Sequence, residues 1–134
     1  MPLSGDRGIG SGDPLPFPSA LERALSAIRS AAGQDLVTVV HRRRHRRELD
    51  ALGIRREEVV ECLLRLDRED FRDGPLIDHN DPGRDVWVFG PTARNRQLYV
   101  KVAIGREHAE TPLRIVVWSF HVARHPMPPP EARR

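Results

Sequence analysis

Two pairs of residues toward the C-terminal end carry the functional groups a reactive site needs: Tyr99 with Lys101, and Ser119 with His121. A histidine with an unperturbed pKa of about 6.5 serves as acid or base near neutral pH. A phenol can orient or donate, and an ammonium can hold an anion. Each pair is spaced i, i+2, which on a strand puts both members on one face. A second chemistry is suggested by His41-Arg42-Arg43-Arg44-His45-Arg46-Arg47, five arginines in seven residues with no acid. On a helix these spread over more than one face, so several, Arg42, Arg43 and Arg46 among them, could grip a phosphate backbone together. The bland alternative is a solvated face paired with Glu48, Asp50 and the acids Asp67, Glu69 and Asp73. A role toward phosphate or an acidic partner is the preferred reading.

Other candidates carry less. His41 and His45 are four apart, as zinc ligands on a helix can be, but no cysteine or suitably placed glutamate completes a set, so neither a metal nor a cofactor is expected. Cys62, the single cysteine, excludes an internal disulfide and sits at an apolar helix position, where it reads as a small core residue. Trp87 and Trp118 could stack bases if exposed, but read more simply as core.

At 134 residues, with 39% hydrophobic and 31% charged, the chain suits one folded domain with polar ends. The 22 basic residues exceed the 19 acidic ones by only three, so bulk charge does not demand a nucleic-acid partner. All the basic residues but Lys101 are arginine, a bias that genome composition alone could produce. No apolar run spans a bilayer and no secretory leader is evident, so no membrane partner and a reducing, cytoplasmic setting are expected.

The elements that must position these residues follow from patterning. Residues 1–18 are rich in Gly, Pro, Ser and Asp and read as a flexible lead-in. Residues 19–125 form the domain, and the proline-rich 126–134 a tail. Ser19 caps a first helix ending at Gly33, followed by a short strand at Leu36–Val40. A second helix carries the arginine run to a stop at Gly53, and a third spans Arg55 to Leu66 with a stripe of Val59, Val60, Leu63, Leu64 and Leu66. Asp67 and Asp70 frame a short extra turn. Gly74 to Gly83 reads as a loop, followed by strands at Val86–Phe89, Leu98–Ile104 and Leu113–His121. Strict alternation in the last places Val116, Trp118 and Phe120 on one side and Ile115, Val117, Ser119 and His121 on the other. Helices first and strands after argue for an α+β fold, with helices packed on one face of a small, mainly antiparallel sheet.

The succession Asp70-Phe71, Asp85-Val86-Trp87 with Pro91, Tyr99-Val100-Lys101 and Ser119-Phe120-His121 resembles the MqsR family of bacterial toxins over roughly residues 52 to 121. The resemblance implies a RelE-like fold, a type II toxin that cuts messenger RNA without the ribosome, and a cognate antitoxin protein as partner. It also implies roles: Tyr99 stands where the family carries a functional tyrosine, His121 where members have lysine or histidine, and Arg84 where a functional glutamine occurs. The chain departs from the family after Asp70-Phe71, where Arg72 and Asp73 replace a tyrosine and a lysine implicated in cleavage.

Metal-free RNA cleavage needs a proton acceptor, a proton donor and cations for the developing charge. His121 and Tyr99 can supply the first two, and Arg84, Arg72 and Lys101 the third. Because Asp73 would repel phosphate, three alternatives stay open. Arg72 substitutes one position earlier, the catalytic set differs, or the protein is a non-catalytic RNA- or partner-binding module.

Overall fold

The computed structural model describes residues 19–130 apart from His41, Asn80 and Glu107. The expected lead-in, the last residues of the tail and any metal role for His41 lie outside the described residues.

The first helix, α1 (Ala20–Gly33), starts at a capping box in which the Ser19 hydroxyl accepts from Glu22 N and the Glu22 carboxylate accepts from Ser19 N. Its apolar stripe, Ala24, Leu25, Ile28, Ala31 and Ala32, is buried. After strand β1 (Val37–Val39) come α2 (Arg43–Leu52) and α3 (Arg56–Arg65). Gly53 ends α2 with φ 72°, a left-handed conformation that suits glycine. Of the stripe expected on α3, Val59 and Leu63 are buried, while Leu64 is 42% exposed and faces away from the core. Asp67 caps a single 3-10 turn, Arg68–Asp70, as its spacing predicts.

The sheet follows: β2 (Phe71–Ile77), β3 (Asp85–Phe89), the short β4 (Thr92–Ala93), β5 (Arg96–Gly105) and β6 (Arg114–Val122). The strand order is β1-β6-β5-β3-β2, antiparallel throughout except for β1, which runs parallel to β6 at one edge. The fold is α+β, with three helices and a mixed, mainly antiparallel sheet. Leu98, Val100 and Val102 of β5 join Trp87, Phe89, Ile115, Val117 and Phe120 in a core closed by α1, α3 and Leu49 of α2. On the opposite face Tyr99 pairs with His121 and Lys101 with Ser119.

Three features depart from the sequence reading. The segment expected to be loop from Gly74 is strand to Ile77, because Pro75 lies on an edge strand, where its missing donor breaks no ladder. The β5–β6 register slips by one residue, with Lys101 opposite Ser119 but Val102 opposite Val117, so a bulge falls at Trp118. The bulge reverses the parity of β6: Ile115 and Val117 face the core together with Phe120, and Trp118 does not. The tail, finally, is pinned to the sheet where Gln97 Oε1 accepts from Met127 N at 3.0 Å.

Candidate active site

The site is built on the sheet face away from α1 and α3, where β5 and β6 lie side by side. Cross-strand pairing sets the Tyr99 ring against the His121 ring, with centroids 5.1 Å apart and planes 19° from parallel. Lys101 is the next outward residue on β5, roughly 7 Å further along. Its ammonium and the Tyr99 hydroxyl have no hydrogen-bond or ion-pair partner among the described residues.

A third ring comes from α2. This helix runs beside the part of β6 that β1 leaves unpaired, where the Glu48 carboxylate accepts the edge N–H of Val122 at 2.6 Å. Leu49 goes to the core, and His45, one turn earlier, is 8% exposed and stacks on His121. Tyr99, His121 and His45 thus form a continuous stack across two strands and a helix.

The proton inventory follows from the hydrogen bonds and burial of these groups. His121 Nδ1 lies 2.9 Å from the carbonyl oxygen of Val122. A carbonyl only accepts, so Nδ1 carries the hydrogen, and a neutral His121 keeps its lone pair on Nε2. Burial pushes His45 below its ordinary value, and the nearby charges of His121, Arg44 and Arg124 push the same way, so His45 is held neutral. Burial raises Tyr99, with Asp73 adding to the effect, so its phenol keeps its proton at neutral pH. Cys62, raised to about 11 by burial, is no nucleophile at neutral pH.

The structure thus puts Tyr99 and His121 in contact and Lys101 further along the same sheet face, lining a separate cavity. Arg42 borders the same face, lining a small cavity of about 100 Å³ with Lys101, Trp118, Ser119 and Asp78. Arg43 and Arg46 are exposed on α2 beside Arg44 and Arg47. None of these arginines forms an ion pair among the described residues.

Two expected residues go elsewhere. Arg84 packs over Gly105, where a Cβ would come within 2.7 Å of its Cγ, six residues along β5 from Tyr99. Its guanidinium pairs with Asp81 at 3.2 Å and approaches Asp78 at 4.0 Å. Arg72 donates to the carbonyls of Met127, Glu69 and Phe71 at 2.6, 2.7 and 2.8 Å, so it clamps main chain.

Sequence reasoning missed His45 as part of the site, weighing it only as a metal ligand. The signal was its i, i+4 relation to Leu49, which puts it on the inward side of α2. Among the described residues no group of three or more His, Cys, Asp or Glu side chains is gathered as a metal ion would need. No helix in the described residues is long and apolar enough to cross a membrane. No protein-family model matches the chain, and no curated protein matches it significantly.

Proposed function

We propose that this protein is a metal-independent endoribonuclease, the toxin of a type II pair of the MqsR kind, built on a RelE-like sheet and silenced by an antitoxin. The observation that carries this reading is a histidine of fixed tautomer, stacked beside a protonated phenol, with an unpaired lysine on the same face and a row of unpaired arginines along its edge.

The chemistry uses only these groups. His121 Nε2 takes the proton of the 2′-hydroxyl as that oxygen attacks phosphorus. Lys101 stabilises the charge that grows on the phosphoryl oxygens. The bond to the 5′ oxygen breaks, and Tyr99 O–H donates to the departing alkoxide, leaving a 2′,3′-cyclic phosphate and a 5′-hydroxyl. The arginines of α2 hold the strand through its backbone. Asp73, which would repel phosphate, here helps keep the Tyr99 phenol protonated, and Arg72 does not replace the family's lysine. The catalytic set therefore differs from that of the best-known members of that family.

The test is incubation of purified protein with long single-stranded RNA in EDTA, beside His121→Ala. Discrete cuts with cyclic-phosphate ends that vanish in the variant are the expected result. RNA that stays intact but shifts in mobility would replace the enzyme reading with that of a non-catalytic RNA-binding module, which the arginine helix alone would support.

A further inference from the structure

We propose that the C-terminal strap, residues 123–127, forms the wall of a subsite for the nucleobase next to the scissile phosphate. The inference rests on the ribonuclease reading and specifies how that site holds its substrate.

A cavity of about 310 Å³ lies between the strap and the sheet, with Tyr99 and His121 on one side and Pro126 and Met127 on the other. That volume is at the lower end of small-molecule sites, which run from about 300 Å³ upward. Two of its lining residues are the proposed acid and base, so whatever fills it lies directly beside the reacting phosphate. Its walls are rings and hydrocarbon, which suit the flat face of a base. Arg124 and His125 stand at its exposed side, where the next phosphate would pass. Stacking on an aromatic side chain tolerates any base, so the subsite demands a base without reading its edge.

The wall is fixed in place. Besides the bond from Met127 N to Gln97 Oε1, Gln97 Nε2 donates to the Met127 carbonyl at 3.2 Å, and Arg72 Nε donates to the same oxygen. Both anchoring side chains lie over Gly90, where a Cβ would stand 2.9 Å from Gln97 Nε2 and 3.2 Å from Arg72 Cγ. Gly90, Arg72 and Gln97 together hold the strap against the catalytic rings, which assigns Arg72 a positioning role in place of phosphate binding.

The test compares a short fluorescent 2′-O-methyl RNA, which cannot be cut because its nucleophile is blocked, with an abasic strand of the same backbone. Anisotropy titrations are run on wild type, Met127→Ala and Gln97→Leu. Wild type is expected to bind the base-bearing strand about tenfold more tightly, or about 1.4 kcal/mol, which one stacked base can supply. In both variants the preference falls toward unity while abasic affinity is unchanged. A wild-type preference near unity overturns the subsite, as does a preference that survives both substitutions. If unmodified RNA is still cut in that case, the ribonuclease reading stands without it; if neither strand binds and no RNA is cut, both fail.

Discussion

The imidazole of His121 stacks on that of His45, with ring centroids 4.2 Å apart and planes 23° from parallel, although one ring stands on β6 and the other on α2. Two stacked imidazoles in one low-dielectric site do not both accept protons without repulsion. Of the two rings, His45 is the buried one, and burial lowers its pKa, whereas His121 is half-buried.

This arrangement predicts a pH dependence of folding. The pKa of His45 is lowered in the folded state, so between that value and about 6.5 the unfolded chain binds more protons than the folded one. The stability tied to His45 is complete above about 6.5 and is lost as pH falls through its folded pKa. Urea midpoints are expected to drop between neutral and mildly acid pH in wild type. His45→Phe, which keeps a ring in the stack but cannot titrate, should flatten that drop; an unchanged slope would remove His45 as its source.

Much of the scaffold is legible in the residues. The Ser19 cap, the end of α1 at Gly33, the Gly53 stop and the alternation of Leu98, Val100 and Val102 against Tyr99 and Lys101 are each found where the pattern puts them. What was not legible depends on neighbours. The bulge at Trp118 exists only in the pairing of β6 with β5, and no period along β6 alone signals it. Pro75 reads as a strand breaker until β2 is known to be an edge. His45 joins the site only because α2 docks beside Val122, an approach of segments far apart in the chain.

Lys101 and Arg84 were grouped by sequence as phosphate clamps, and the structure separates them. Lys101→Met should slow RNA cleavage on the order of a hundredfold to a thousandfold, the range for removing one stabiliser of transition-state charge. Arg84→Met, which removes a guanidinium directed at Asp81 and Asp78 and not at the ring stack, should leave initial rates within about twofold, since a stability change within about 0.5 kcal/mol is usual for such a substitution and leaves the protein folded. Equal losses from both would mean that Arg84 leaves its carboxylates to meet the substrate.

Asp78 is 3% exposed, and its Oδ2 accepts from the Trp118 indole at 3.1 Å. Removing that acceptor strands a partly buried indole N–H and loosens the loop that Arg84 helps to close. Asp78→Ala is expected to destabilise the fold by about 1–3 kcal/mol in equilibrium unfolding. Trp118→Phe alone should cost less, because it deletes the donor together with its need for a partner. A larger loss in Trp118→Phe would show that packing around the indole, and not its hydrogen bond, holds the bulge.

The exposed arginines of α2 give a prediction that separates affinity from chemistry. Each phosphate neutralised on a single strand releases counterions and contributes about 0.7 to the slope of log affinity against log salt. Arg43, Arg46 and Arg47 are exposed, whereas His45 of the same helix is buried in the ring stack. Changing them together to alanine should lower that slope by about 0.7 for every phosphate they neutralise and raise KM for RNA at moderate salt, with kcat nearly unchanged. The His45–His121 stack does not involve their side chains, so the proposed acid–base step should survive their removal. A fall in kcat with the salt slope intact would place these arginines in the organisation of the reacting groups instead of the grip on the strand.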